Sequence, residues 1–450
     1  MIRFFRANDP YRFVFIFLIL VAVRTTYGLV GMPLSLPEFK ALLLGEWLGS
    51  GFNMYSHTFD YTAPLSAWTY KALDVVFGRS RFIHWVLSTI LVAFQAWMFN
   101  RTLLINKVLS EPTYVPAFLY VVFSVAVFDF FALSPQLLSL TFVILSIDQL
   151  VQRLDNVARD ELFLYPGFYL GMAGLFYFPA NAFFLVFLLA IILLVQAKFR
   201  RILLYLYGWI SANLMVGVIL LLNGNLPDFL SVYLEESMRA KEYFVSLTDL
   251  IYWIAFPSVV FFLALFQAIG QREGSLHVKT QQFLLLIFFA SVVVIALSGT
   301  LAGIDLVFLM PVFTFFLSDY FIKLRHRVWR RVLPSLMIFG SLLVPFLAFR
   351  FVLYQEALIL QESAGQSEHT KVMVIGPISE AYLTAEIAGP FIDEQVSRDR
   401  LEDLDYYHQA PLFLEIFEQA RPELILDEWD QMERINNRFP QIEEMRIQTE

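Results

Sequence analysis

Apolar stretches of roughly 15 to 22 residues recur along the first 353 positions of this chain, most of them long enough at 1.5 Å per residue to cross a hydrocarbon core of about 30 Å. A buried core helix of a soluble domain does not repeat in this way. The spans predicted from the pattern are 11–29, 82–100, 115–131, 137–151, 163–178, 180–196, 202–222, 248–268, 281–298, 302–321 and 332–353. Composition agrees: 58% of residues are hydrophobic, only 16% are charged, and Phe alone contributes 48, so lipid is the solvent of most of the chain. The N-terminus, with Arg3, Arg6 and Arg12 before an apolar run, has the outline of a signal peptide. Arg24, however, stands where a small-residue cleavage site would lie, and further spans follow. The chain has no Cys, which excludes disulfides and thiolate metal sites and leaves the redox compartment open.

An odd number of spans puts the termini on opposite sides. With a cytoplasmic N-terminus, the short cytoplasmic loops hold Arg101 and Lys107, Arg153 and Arg159, Lys198, Arg200 and Arg201, Arg272 and Lys279, and the cluster Lys323, Arg325, Arg327, Arg330 and Arg331. The opposite short loops carry no charge. Two connections on the outer side are long, 30–81 and 223–247, and function in such proteins tends to sit where long loops meet the bundle. In the first, Leu36, Phe39, Leu43 and Trp47 share one helical face, which predicts a helix lying in the membrane interface over 36–48, with a second over 63–77.

After Tyr354 the composition changes. The remaining residues carry 21 Asp/Glu against 7 Lys/Arg, which predicts a separate soluble domain over 356–450 beside a transmembrane region over 1–355. Lys371–Gly376 and Glu423–Asp427 read as short buried strands, and 406–420 and 428–439 as helices, giving a small βαβ unit with a right-handed crossover. Gly376-Pro377 is not a nucleotide fingerprint, because no G-x-G-x-x-G follows. Asp403-Leu404-Asp405 is read as solvated surface rather than a metal motif. The fold class is thus a polytopic α-helical membrane protein of about eleven spans with a small C-terminal α/β domain. Its expected partners are the bilayer and proteins that meet residues 356–450, with no nucleic acid among them.

The segment Pro37–Ser80 holds, in order, an acidic residue, a helix, a Gly-rich turn with an aromatic, a Pro-Leu pair opening a second helix, and Phe-Gly-x-Ser ahead of the second span. Its carriers are Glu38, Gly49, Gly51, Tyr55, Asp60, Pro64, Leu65, Phe77, Gly78 and Ser80. This order resembles the first extracytoplasmic loop of the GT-C superfamily of polytopic glycosyltransferases, including those similar to dolichyl-phosphate-mannose-protein mannosyltransferases. Ser134–Leu138 and Leu309-Met310-Pro311 are similar to two further family patches. The resemblance implies an integral protein of a bacterial inner membrane with a periplasmic C-terminal domain. It also implies inverting transfer of a sugar from a polyprenyl-phosphate donor. It departs from the family twice: many members carry an acidic residue where this chain has Gln136, with Asp129 as a substitute only if its loop folds back. A basic residue or His often precedes the Leu-Pro segment, where this chain has Asp305.

Such a transfer needs a carboxylate near the membrane surface to accept the acceptor's proton. Glu38 is the first candidate and Asp60 the second; the alternative for Glu38 is an ordinary carboxylate favoured at a helix N-terminus. A lipid phosphate also needs cations, for which Arg239, Lys241, Arg24 and Arg350 are the candidates, although basic residues at span ends often only snorkel. Tyr55, His57 and Asp305 are further candidates. A divalent ion could bridge carboxylate and phosphate, with His57 and Asp60 three apart as ligands, but a lone loop His is ordinarily a surface residue and no metal site is assigned. Asp305 is costly inside a span, so it is expected either to pair with an outer Arg or to reach the interface. The leading function is a GT-C-like transferase, and the alternative is a non-catalytic scaffold of the same fold that recruits partners through its acidic tail. A transporter or channel fits less well, because no internal repeat and no polar file is visible.

Overall fold

The computed structural model describes residues 2–29, 34–155, 159–235, 237, 247–269, 273–298, 302–324, 326, 328–350, 371–402 and 409–438. Its helices are α1 (Ile2–Phe5), α2 (Tyr11–Leu29), α3 (Leu36–Gly49), α4 (Pro64–Phe77), α5 (Arg81–Ile105), α6 (Val115–Ser124), α7 (Pro135–Val151), α8 (Leu164–Phe176), α9 (Asn181–Leu193), α10 (Phe199–Leu222), α11 (Leu247–Ile269), α12 (Ser275–Leu297), α13 (Met310–Lys323), α14 (Trp329–Arg350), α15 (Glu394–Glu402), α16 (Gln409–Ala420) and α17 (Met432–Arg438). Each of the eleven expected spans overlaps one of these helices. Among the described residues, five stretches are long and apolar enough to cross a membrane, and four more are apolar but shorter. The chain is an integral membrane protein. It divides into two compact units, one made of 1–32, 84–215 and 242–355, the other of 33–83, 216–241 and 356–450.

The first unit is the helical bundle. Two of its stretches are almost wholly enclosed, Val115–Ser124 and Gly303–Lys323. The second opens as a 3-10 turn, Gly303–Leu309, because Pro311 at the second position of α13 cannot donate to an earlier helical turn. The expected continuous span 115–131 is also broken. α6 stops at Ser124, whose hydroxyl bonds back to the Val121 carbonyl, and the chain resumes as a 3-10 turn at Phe128–Phe131. Irregular backbone at this depth is tolerated only inside protein, and Val125, Val127, Phe130 and Phe131 are all buried. α8 and α10 meet backbone to backbone: a Cβ on Gly167 would collide with the Tyr205 carbonyl, and one on Gly208 with the Leu164 carbonyl.

The second unit joins the two long loops to the C-terminal region. Its sheet has the order β2-β1-β3, all parallel, with β1 Lys371–Ile375, β2 Glu386–Ile387 and β3 Leu424–Asp427. β1 and β3 are the two strands expected from the sequence; β1, central and buried after Lys371, reads as the near-continuous apolar run of a parallel strand. α3 corrects an expectation. Instead of lying half-exposed in an interface it is buried on nearly every side, because Ala41, Leu42 and Leu44 make the face opposite Phe39, Leu43 and Trp47 apolar too. α4 is one-sided as expected, with Ser66, Ala67 and Tyr70 buried and Val75, Val76 and Phe77 exposed.

Candidate functional site

Ser35 caps α3 by accepting from the Glu38 N–H at 3.4 Å, which places Glu38 at the third helical position where a carboxylate suits the dipole. Its side chain is directed at a cation. Arg81 Nε donates to Oε1 at 3.0 Å and Nη2 to Oε2 at 3.1 Å, a two-pronged pair that occupies both carboxylate oxygens. Glu38 is 4% exposed. Asp60 is wholly buried and lies 2.9 Å from the Lys40 ammonium, which also donates to Asp393 at 2.7 Å. Lys40 therefore stands between two carboxylates, one from the first loop and one from the C-terminal region. Burial alone would push the ammonium down; Asp393 and Asp60 outweigh it and hold Lys40 well above the ordinary lysine range.

The same seam continues at Glu46, whose Oε2 takes Arg79 at 3.0 Å while Oε1 accepts the Ile387 N–H at 3.2 Å. Burial raises the Glu46 carboxyl above its ordinary value, and Arg79 and the Ile387 N–H oppose that rise. Arg79 also donates to the Ala385 and Leu383 carbonyls, at 3.0 and 3.4 Å. The Phe59 N–H donates to the Pro390 carbonyl, and the Asp393 N–H to the Phe59 carbonyl, both at 2.9 Å, forming a one-residue parallel bridge between Phe59 and Phe391. Residues 383–393 are thus read by the first loop through their backbone as well as through Asp393.

Tyr55 and His57 belong to the stitching of this loop. Tyr55 sits at φ 71° although it is not glycine, a strain of about 1–3 kcal/mol that its surroundings hold in place. Its hydroxyl donates to the Thr62 carbonyl at 2.8 Å, its ring meets Phe229 and Tyr233, and burial pushes its phenol well up. The His57 N–H donates to the Asn53 carbonyl, its own carbonyl accepts the Trp47 indole, and its ring lies edge-on to Phe52. Among the described residues no group of three His, Asp or Glu is placed to share a metal.

In the bundle, Asp305 meets neither expectation made for it. Among the described residues it pairs with no Arg, and it does not reach an interface: it is wholly buried and takes four neutral donors. Gln136 Nε2 at 3.1 Å and the Tyr177 hydroxyl at 2.8 Å bond Oδ1, while the Ser298 hydroxyl at 2.7 Å and the Ala302 N–H at 2.9 Å bond Oδ2. The two departures from the family pattern, Gln136 and Asp305, therefore bond to each other. The turn bearing Asp129 does fold back, packing against the turn bearing Asp305. Arg24 is buried at 5% exposure with its guanidinium on Ser88 Oγ at 2.7 Å, Thr89 Oγ1 at 3.1 Å and the Phe130 carbonyl at 2.8 Å, and it lies over the Phe131 ring. Among the described residues no carboxylate pairs with it. Phe130 in turn lines a small apolar crevice with Phe123, Val127, Pro257, Met310 and Phe313. Arg239 and Lys241 lie outside the described residues, as do Asp403 and Asp405, and of Arg350 only the helical backbone is described.

Sequence reasoning missed Lys40, Arg81, Glu46, Arg79 and Asp393. Lys40 had a signal: it falls on the same helical face as Leu36, Leu43 and Trp47, and a lysine on an apolar stripe calls for a buried anion. Asp393, more than three hundred residues away, had none.

No protein-family profile matches the sequence, and no curated protein matches it. Among solved structures, the chain is similar to ArnT from Cupriavidus metallidurans bound to undecaprenyl phosphate, at 11% identity and a TM-score of 0.51 over 73% of this chain. The match spans 63% of the ArnT chain, under two thirds of its length. The apo oligosaccharyltransferase of Archaeoglobus fulgidus follows at 11% identity and a TM-score of 0.47, over 77% of this chain and 57% of that one. At such identity the ArnT likeness speaks of architecture alone, and it meets the resemblance of the first loop from a second direction: this integral membrane protein has a GT-C-like fold.

Proposed function

We propose that the chain is a non-catalytic scaffold of GT-C-like fold, whose first loop seats the C-terminal region as a recognition module instead of presenting a general base. The observation that carries this reading is the state of the two candidate bases. Both oxygens of Glu38 face the N–H groups of Arg81, and Asp60 is sealed from solvent against Lys40. A general base must be reached by its substrate's proton, and both carboxylates are buried, at 4% and 0% exposure, with a cation against each of them. The orientation that goes with this reading has a cytoplasmic N-terminus and an extracytoplasmic C-terminal region, supported by the Lys/Arg of the short loops.

A second reading, sugar transfer from a polyprenyl-phosphate donor, is favoured by Arg24. A buried guanidinium with no counter-charge among the described residues, holding the carbonyl of a residue that lines an apolar crevice, suits an anionic head with a hydrocarbon chain. The same experiment separates the two. The purified protein in nanodiscs is given labelled polyprenyl-phosphate sugars and acceptor lipids, alongside Glu38→Gln and Asp60→Asn. The scaffold reading expects no transfer above background in any of the three. Transfer by the wild type that falls by a hundredfold or more in Glu38→Gln overturns it.

A further inference from the structure

One buried cluster of titratable side chains takes no part in anything described above. His277 is the third residue of α12 and is 5% exposed. Its Nδ1 lies 2.7 Å from the Val108 carbonyl, and a carbonyl can only accept, so the first ring proton resides on Nδ1. The second nitrogen, Nε2, faces Gln281 at 2.9 Å, the Lys323 ammonium at 3.4 Å and Asp319 Oδ2 at 3.6 Å. Lys323 is the cation of the cluster, tied to Asp319 and to Glu273, each at 2.8 Å. Among the described residues, the cluster with a neutral imidazole holds two carboxylates against one ammonium, and the buried Asp319 Oδ1 accepts no hydrogen bond. The site thus contains an excess negative charge beside a ring nitrogen that, while neutral, accepts from Gln281 and Lys323. One added proton on Nε2 offsets that charge, and the new N–H has Asp319 Oδ2 at 3.6 Å to turn to.

We propose that His277, Asp319 and Lys323 form a proton-binding switch at the end of the bundle where Val108, the start of α12 and the end of α13 meet. Protonation at Nε2 converts the ring from acceptor to donor. Its new N–H turns to Asp319, the Gln281 amide rotates to present its oxygen, and Lys323, no longer accepted by the ring, rests on Asp319 and Glu273 alone. Two other described charges at this end are Arg6, which donates to the Ile322 carbonyl and pairs with Glu111 at 3.3 Å, and Lys279, which pairs with Asp155 at 2.9 Å; both are already engaged. The Val108 turn follows Lys107, held at φ 51°, so the ring's tilt is passed to a tight connection between α5 and α6. This end carries the Lys/Arg-rich short loops, which the proposed orientation makes cytoplasmic.

The test is made on the intact protein in nanodiscs with labelled imidazole carbons, assigning the His277 signal by its loss in His277→Gln. The wild-type signal should titrate between about pH 5 and 8, the range in which imidazole changes charge, with a step in the thermal midpoint at the same pH. That step should vanish in His277→Gln and in Asp319→Asn, whereas Lys279→Gln, outside the cluster, should keep it. A His277 signal unchanged across this range, or the same thermal step in Asp319→Asn as in the wild type, overturns the proposal. Should His277→Gln fail to fold, the Asp319→Asn comparison decides alone.

Discussion

At the scale of single residues, Lys40 decides most. Its side chain is 19% exposed and is shared by Asp60 and Asp393, so removing it leaves two carboxylates facing each other in a largely dry seam. Breaking such a pair by deleting one partner costs about 3–5 kcal/mol when burial is complete, and the partial exposure of Lys40 places Lys40→Met near the lower bound. Denaturant unfolding of the variant should show that loss, and most of it should return when Asp60→Asn and Asp393→Asn are added. The pH dependence has a definite sign. The folded lysine is raised above its ordinary value of about 10.4, so its contribution is complete below that value and is lost only as pH climbs through the folded one. Lys40 therefore adds no slope between pH 6 and 9. Glu46 behaves differently. Its folded value is also raised, so the native chain binds more protons than the unfolded one from about pH 4.3 upward, and stability falls as pH rises through that window. Glu46→Gln, which keeps an acceptor for the Ile387 N–H, should flatten the acid limb of a stability-against-pH profile; an unchanged limb assigns the slope elsewhere.

At the scale of elements, the helices were legible because lipid imposes a length and a composition on each of them. What composition does not carry is where a helix breaks. The stop at Ser124 and the 3-10 opening at Gly303 depend on tertiary partners such as the Asp305 hydrogen bonds, and β2, two residues long, exists only because β1 lies beside it. The interfacial reading of α3 fails for a related reason: Leu36, Phe39, Leu43 and Trp47 make one face apolar, and Ala41, Leu42 and Leu44 make the opposite face apolar too. A signal also went unread in Gly167-Phe-Tyr-Leu-Gly171, small residues one helical turn apart. Gly171 faces Ala212 and Trp209 on α10, so two helices touch along a stripe of small residues. Gly208→Leu should force them apart, since the atom it meets is backbone and cannot rotate away. A loss of about 2–3 kcal/mol is expected, larger than for Gly217→Leu, which has open space around it. Thermal midpoints of the two variants side by side check this.

At the scale of the whole molecule, the site was less legible than the fold, because its residues come from segments that sequence spacing cannot connect. Glu38 was found through its neighbours in the loop; that Arg81 would take both its oxygens, and that Asp393 would reach Lys40, depended on the folded chain. What remains is which side of the membrane each part occupies, and here the composition supplies a tool. With no Cys in the chain, every single-cysteine variant reports on one position without background. Glu380→Cys and Glu423→Cys lie at exposed positions of the C-terminal region, and Lys198→Cys at an exposed position in the short connection between α9 and α10. All three are surface substitutions, so each should leave the fold intact, with changes within about 0.5 kcal/mol. A membrane-impermeant maleimide added to intact cells or spheroplasts should label the first two and spare Lys198→Cys until the membrane is opened. Each span inverts the next, so the same three labels test the helix count. An even number of crossings between residues 198 and 380 would place both on one side, and equal labelling of Lys198→Cys and Glu380→Cys before permeabilisation would rule out the odd number that the short-loop charges require.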